Sequence, residues 1–125
     1  MNCLAIDYGK KNIGLAFSIN GIISPINAIK NDSNLIENLK LIIDQYKIDK
    51  LFVGISQDRS GFNTKTFMEK LKNMLDLTVE GVEETVSTIE ATQIFKENKN
   101  NKKNLTGKID SISAAVILNR ALGQY

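Results

Sequence analysis

The chain has 125 residues, 42% of them hydrophobic, and its 16 Lys and Arg against 14 Asp and Glu give a net charge of +2. It has no histidine and 1 cysteine, which excludes Ser-His-Asp and Cys-His catalysis, His-ligated zinc and an internal disulfide. No apolar run is long enough to cross a bilayer and the N-terminus lacks a signal-peptide pattern, so we expect one cytoplasmic domain over residues 1–125.

The first quarter of the chain has the pattern of three strands. The apolar run that ends at Asp7 predicts a buried strand, followed by a turn that contains Gly9. Asn20-Gly21 between two further apolar runs is the strongest short-range signal of a hairpin. Pro25 favours an edge position for the third strand. The predicted strands are Leu4–Asp7, Ile13–Ser18 and Ile22–Ala28.

Helical and strand patterns then alternate. Three capping boxes predict helix starts, namely Asn34 with Glu37, Thr66 with Glu69 and Ser87 with Glu90. The predicted elements, in chain order, are a helix from Asn34 to Tyr46, a strand over Lys50–Ile55, a polar loop over Ser56–Asn63, a helix from Thr66 to Leu75, a strand over Leu77–Glu83, a helix from Ser87 to Phe95, a polar loop over Glu97–Gly107 and a helix over Asp110–Leu122.

This order predicts an α/β fold with a mixed five-stranded sheet flanked by helices. A strand–helix–strand crossover requires parallel pairing, so the strands that end at Asp7, Ile55 and Glu83 are expected to be parallel. Ligands of open α/β sheets collect at the carboxyl ends of parallel strands. We therefore expect Asp7 and the pair Glu83-Glu84 at the same edge of the sheet.

Three acidic positions are candidates for a metal site, although each also has a structural interpretation. Asp7 needs a cation or hydrogen-bond donors at the tip of a buried strand, but it can also cap a turn. Glu83 and Glu84 point to opposite faces, so only one can face Asp7, and glutamates at a strand end are usually solvated. Asp110 suits a helix N-cap. Together, Asp7, Glu84 and Asp110 can hold one or two Mg²⁺ or Mn²⁺ ions for phosphodiester hydrolysis without histidine.

Positive charge is concentrated late in the chain. The segment 96–108 contains five lysines and one glutamate. Such a cluster can contact phosphates, and it can equally be a solvated loop in a chain rich in Lys and Asn.

Four blocks of the sequence resemble the YqgF family, small bacterial proteins named as Holliday junction resolvases. They occur in the family's order over nearly the whole chain. The blocks are Ile6–Ala16, Val53–Ile55 with Ser60-Gly61, Glu83–Ala91 and Ile109–Leu118. Relative to the family pattern, Ser56 replaces a proline, Glu83 an aspartate, and Thr85 an arginine that could contact a phosphate.

The resemblance implies a ribonuclease H-like fold and a divalent-metal-dependent nuclease related to the RuvC-type resolvases. It implies Asp7, Glu84 and Asp110 as the catalytic triad and, for bacterial members, maturation of the 5′ end of the small-subunit ribosomal RNA precursor. Because Thr85 removes a cation, other side chains must bind the substrate. The candidate nucleic-acid-binding residues are Lys10, Lys11, Arg59, Lys102 and Lys103.

Other functions remain compatible with the sequence. The same site could resolve branched DNA, which requires two active sites and hence a dimer, although no segment is recognisable as a dimer interface. A non-catalytic nucleic-acid-binding module would keep the fold without the chemistry, and the intact acids disfavour it. The Asp-x-Gly turn also resembles that of actin-like ATPases, but the chain is too short for their two domains. We expect a nuclease for structured RNA, a monomer or weak homodimer, with no membrane partner.

Overall fold

The computed structural model describes residues 1–55, 61–83 and 111–123, and it confirms the predicted α/β architecture. Its strands are β1 Cys3–Asp7, β2 Asn12–Ile19, β3 Ile22–Lys30, β4 Lys50–Ile55 and β5 Thr78–Glu83. Its helices are α1 Leu35–Tyr46, α2 Gly61–Met74 and α3 Ile112–Ala121. None of the helices within these ranges is both long enough and apolar enough to span a membrane.

The five strands form one mixed sheet in the order β3-β2-β1-β4-β5, with β1 in the centre. The pairs β1–β2 and β2–β3 are antiparallel, and the pairs β1–β4 and β4–β5 are parallel. The strands that end at Asp7, Ile55 and Glu83 are therefore parallel, as the crossover rule predicts. Strand β3, which contains Pro25, lies at the edge of the sheet.

The hairpin between β2 and β3 forms where the sequence predicts it. Asn20 and Gly21 have φ values of 54° and 79°, and a type I′ turn needs positive φ at both positions. Farther along the hairpin the pairing is irregular, because the register shifts between Ile13 and Leu15. This irregularity lies next to Asp7, whose partner on β2 is Gly14.

Side chains of the sheet enter hydrophobic cores on its two faces. Leu4 and Ile6 of β1 pack with residues of α1 and α2 on one side, which we call the α1/α2 face. Cys3 and Ala5 pack with residues of α3 on the other side, the α3 face. The alternation is that expected of an extended strand, and it assigns each residue of β1 to one face.

The second helix begins five residues earlier than predicted. The loop prediction over Ser56–Asn63 is wrong in its last part, because α2 begins at Gly61 and not at Thr66. Thr64 is only 1% exposed and lies one turn before the buried Phe67. The buried residues of the helix thus include a polar residue that the apolar pattern does not count.

The other helix boundaries lie close to their predicted positions. Helix α1 follows Asn34, but the Asn34 side chain makes no capping bond. Asp32 occupies this role instead, since its Oδ1 accepts the Asn34 N–H at 2.9 Å and its carbonyl accepts the Leu35 N–H at 3.1 Å. Helix α3 ends at Ala121, and Gly123 has a φ of 67°, typical of a helix end. The predicted helix from Ser87 to Phe95 and the predicted loop over Glu97–Gly107 lie outside the described residues.

Candidate active site

Asp7 is the last residue of the central strand and its side chain is half-buried. Because Cys3 and Ala5 lie on the α3 face, the alternation of β1 places Asp7 on the same face. Its neighbour on β2 is Gly14, and one further step of the β1–β4 register brings Gly54 beside it on β4. Neither neighbour has a side chain, so both adjacent strands leave room around the carboxylate of Asp7.

The turn after Asp7 is attached to the end of β3. The Asn31 backbone N–H donates to the Lys11 carbonyl at 2.9 Å, and the Asn31 side-chain amide donates to the Gly9 carbonyl at 2.8 Å. A Cβ at Gly9 would overlap the carbonyl oxygen of Asn12, so the turn in this conformation requires glycine. These contacts fix the backbone that follows Asp7. No sequence signal marks Asn31, because its bonds depend on how β3 ends.

The start of α3 is anchored to the same part of the sheet. The Leu15 N–H donates to the Ser111 Oγ at 3.0 Å, and Ser111 is completely buried. Leu15 directly follows Gly14, the partner of Asp7, and lies where the β2–β3 register shifts. The bond joins residues 96 positions apart in the chain, so no local pattern identifies Ser111 as part of this region.

The predicted acidic triad is only partly covered by the structure. Asp7 lies at the expected edge of the sheet, whereas Glu84 and Asp110 lie outside the described residues. Within residues 1–55, 61–83 and 111–123, no group of three or more His, Cys, Asp or Glu side chains is placed to hold a metal ion. A metal site that contains Asp7 would therefore need further ligands from residues outside these ranges.

Exposed lysines surround the turn that follows Asp7. Lys10 and Lys11, two of the candidate nucleic-acid-binding residues, lie in this turn and are exposed. Lys30, which the sequence reasoning does not single out, is also exposed and pairs with Asn12 at the start of β2. This edge of the sheet thus presents several positive charges close to a half-buried carboxylate, an arrangement that attracts an anionic polymer. The other candidates, Arg59, Lys102 and Lys103, lie outside the described residues.

Two cavities lie at opposite ends of the parallel strands. One of about 240 Å³ opens beside Tyr8, the residue after Asp7. A larger one of about 510 Å³ is lined by residues such as Ile48 and Leu77, which precede β4 and β5. The larger cavity is therefore at the amino ends of these strands, away from Asp7. Of these two cavities, both lined by described residues, the one beside Tyr8 adjoins Asp7 along the chain.

Comparison with known proteins identifies similar sequences and similar folds. A protein of Buchnera aphidicola subsp. Baizongia pistaciae is named "Putative pre-16S rRNA nuclease". It is 34% identical over an alignment 128 residues long, gaps included, that covers 94% of this chain and 93% of that protein. The crystal structure of the fowlpox virus Holliday junction resolvase matches with a TM-score of 0.61 and 18% identity, over 99% of this chain and 98% of that one. The Thermus thermophilus RuvC structure matches with a TM-score of 0.60 and 9% identity, over 98% and 97% of the two chains.

The structural matches show that the mixed sheet and its helices have the fold of RuvC-like resolvases. The sequence itself matches over nearly its whole length, because residues 1–124 fit the family described as "RuvX: Holliday junction resolvase". Relatives that align with more than nine-tenths of this chain are named as nucleases. The chain therefore belongs to the RuvX (YqgF) family, a family of nucleases and thus of phosphodiester hydrolases.

Proposed function

We propose that the protein is a divalent-metal-dependent endonuclease that processes the 5′ end of the small-subunit ribosomal RNA precursor in the cytoplasm. Its catalytic and metal-binding acids are Asp7, Glu84 and Asp110, carried by a single domain over residues 1–125. The observation that carries this proposal is the position of Asp7 on the central strand, on the face where Ser111 anchors the start of α3. The names of the relatives support ribosomal RNA as the substrate.

The anchoring of Ser111 supports Asp110 as a member of the site. Asp110 directly precedes Ser111 in the chain, and successive Cα atoms are about 3.8 Å apart. The Ser111 Oγ is 3.0 Å from the backbone nitrogen of Leu15, which follows the β2 partner of Asp7. Asp110 thus comes one residue before a side chain that is bonded to the strand beside Asp7, and this is our reason for proposing it.

The alternation of β5 supports Glu84 and not Glu83. Val82 packs in the core of the α3 face, the face that also carries Asp7. A strand that keeps this alternation carries residue 84 on the same face and residue 83 on the other, and this is our reason for proposing Glu84. Strand β5 is two strands from β1, a distance of roughly 10 Å. Gly54 lies on the intervening strand and has no side chain, so Asp and Glu side chains can meet above it.

This set of carboxylates suits hard divalent ions, which prefer oxygen ligands. One or two bound Mg²⁺ or Mn²⁺ ions supply the activated water and stabilise the leaving oxygen of the phosphodiester. The three acids hold and orient the ions at the edge of the sheet. Lys10 and Lys11 attract the phosphate backbone, with Arg59, Lys102 and Lys103 as further contacts. No histidine is needed for any of these roles.

Cleavage of precursor ribosomal RNA by purified protein with Mg²⁺ or Mn²⁺ tests this function. We expect Asp7→Asn, Glu84→Gln and Asp110→Asn to abolish cleavage while far-UV circular dichroism shows folded protein. Glu83→Gln is the matched control, since it removes the same charge one residue away and should keep activity. Cleavage at the parental rate by Asp7→Asn, or loss of cleavage in Glu83→Gln but not in Glu84→Gln, would show that the proposed site is wrong.

Resolution of branched DNA is the second candidate function. The description of the family favours it, and so does the fold shared with the fowlpox virus resolvase, which also matches in its complex with Holliday junction DNA. It requires two active sites and therefore a dimer, whereas cleavage of RNA needs only a monomer or a weak homodimer. A cleavage assay on four-way DNA junctions, together with the mass from light scattering, separates the two functions. A stable dimer that cuts junctions and leaves precursor RNA intact would favour resolution.

A further inference from the structure

The cavity beside Tyr8 has an aromatic wall on the α1/α2 face of the sheet. Tyr8, Leu35 and Phe67 line it, and the rings of Tyr8 and Phe67 pack with their centroids 4.6 Å apart and their planes inclined by 37°. Leu35 and Phe67 are buried in the core, whereas Tyr8 is only half-buried. Tyr8 is therefore the aromatic residue that an incoming ligand can reach.

The rim of the same cavity is polar and carries both donors and acceptors. Asn31, Asp32, Thr66 and Lys70 line it, and the last three are exposed. Asn31 and Asp32 are held by their bonds to the Gly9 carbonyl and to the backbone N–H of residue 34. An aromatic wall with a carboxylate, an amide, a hydroxyl and an ammonium at its edge matches the flat face and polar edge of a nucleobase.

The cavity lies at the same strand end as Asp7, on the opposite face of the sheet. Successive residues of an extended chain point to opposite faces. The carboxylate of Asp7 and the ring of Tyr8, which lines the cavity, therefore lie on opposite faces at the end of the same strand. Lys10 and Lys11 lie two and three residues after Tyr8 and are exposed. Proteins that bind single strands combine basic groups along the backbone with aromatic rings on which bases stack.

The size and charge of the cavity restrict its occupant. A volume of about 240 Å³ is below the range of roughly 300–1,000 Å³ typical of pockets for drug-sized ligands, so a single ring system fits better than a larger molecule. The exposed carboxylate of Asp32 disfavours a phosphate inside the cavity, and Lys70 at its mouth favours one outside it. We propose that this cavity binds one unpaired base of the RNA, close to the cleaved phosphodiester, by stacking on Tyr8. The proposal rests on the proposed function as an RNA nuclease.

Binding of RNA in the absence of divalent metal tests this pocket separately from catalysis. The affinity of a dye-labelled single-stranded RNA that covers the precursor cleavage region is measured in EDTA by fluorescence anisotropy. A set of RNAs, each with one abasic position, is measured alongside. We expect Tyr8→Leu and one abasic position each to weaken binding roughly tenfold, the magnitude typical of one stacked base. Combining the two changes should cause no further loss, because both remove the same contact.

Matched variants distinguish stacking from a general effect on the fold. Tyr8→Phe keeps the ring and should keep the affinity. Tyr46→Leu removes a ring from another aromatic pair, in which the centroids of Phe17 and Tyr46 are 4.7 Å apart, at the opposite end of the sheet. It should bind RNA like the parent. Equal losses of RNA affinity in Tyr8→Leu and Tyr46→Leu would contradict the proposed base pocket. So would affinity losses of Tyr8→Leu and of the abasic RNA that are independent of each other at every abasic position.

A fluorescence measurement provides a second test that does not depend on removing the ring. The chain has no tryptophan, so a Tyr8→Trp variant carries a single indole at the cavity. Intact RNA should quench its emission, and the RNA with the critical abasic position should not, while Tyr46→Trp should respond to neither. Unchanged Tyr8→Trp emission with RNA bound would refute stacking. If the parent protein binds this RNA but does not cleave it in the presence of metal, the proposed function is wrong. If it cleaves the RNA but no abasic position shares its effect on affinity with Tyr8→Leu, only the proposed base pocket is wrong.

Discussion

Replacing Ser111 by alanine should destabilise the protein through one unsatisfied backbone group. Ser111 is completely buried and its Oγ accepts the Leu15 N–H at 3.0 Å. Alanine fits the space but leaves that N–H without its partner, a change that costs roughly 1–3 kcal/mol for a buried group. The entropy of unfolding is about 2.1 cal/mol/K per residue, so the melting temperature of a 125-residue chain should fall by roughly 4–11 °C.

Thermal unfolding followed by circular dichroism measures this effect, with Ser113→Ala as the matched control. Ser113 lies on the same helix and is half-buried, so its replacement removes a hydroxyl without breaking the bond to Leu15. We expect the control to change the melting temperature by less than about 2 °C, as is usual away from special contacts. A Ser111→Ala melting temperature equal to that of the parent would refute the view that this bond anchors α3 to the sheet.

Three further predictions concern other parts of the structure. Gly9→Ala places a Cβ against the Asn12 carbonyl, so the turn after Asp7 must move, and we expect nuclease activity to fall at temperatures where circular dichroism shows folded protein. Burial raises the pKa of the Cys3 thiol above its ordinary value of 9.0. The stability that the neutral thiol contributes is therefore fully present below pH 9.0, and it is lost as the pH rises through the raised pKa of the folded state. Urea unfolding at pH 8 and pH 10 should therefore show a steeper loss of stability in the parent than in Cys3→Ala. The Lys50–Glu80 ion pair, 2.7 Å long but partly exposed, should contribute less than about 1 kcal/mol, so Glu80→Gln should leave the urea midpoint nearly unchanged, and a large drop would contradict this.

The elements that sequence patterns predict well are those whose causes are local. Asn20-Gly21 fixes a type I′ turn because both residues tolerate positive φ, and the strand Lys50–Ile55 forms with its predicted bounds. The parallel pairing of β1, β4 and β5 follows from connectivity alone, since a crossover helix returns the chain to the same edge. These causes also predict Asp7 at the carboxyl end of a parallel strand, whereas the central position of that strand emerges only from the sheet order.

The parts that sequence patterns miss depend on contacts between distant residues. Thr64 is buried on α2, and nothing in its own chemistry indicates that burial. Ser111 acquires its role only because the register shift exposes the Leu15 N–H to α3. Asn34 does not cap α1 with its side chain, because its backbone, held in a turn by the bond from its N–H to Asp32, has a ψ of 4° and not the extended conformation of a capping residue. In each case the deciding partner is set by packing or by a neighbour outside the motif.

The mixed order of the sheet explains how one edge can carry both acids and cations. Parallel strands β1, β4 and β5 all end at this edge, and β1 brings the carboxylate of Asp7 there. In an all-parallel sheet, the chain would run from the end of each strand directly into a crossover connection. Only the tips of these connections would then lie at this edge. Here β2 is antiparallel to β1, so the chain turns back at the edge, and the turn places Lys10 and Lys11 beside Asp7. Strand β3 ends at the same edge with Lys30, which adds positive charge. Asn31 follows Lys30 and holds that turn through its bond to the Gly9 carbonyl. The antiparallel half of the sheet thus supplies exposed lysines at this edge, and the central strand supplies Asp7, which we propose as a catalytic acid.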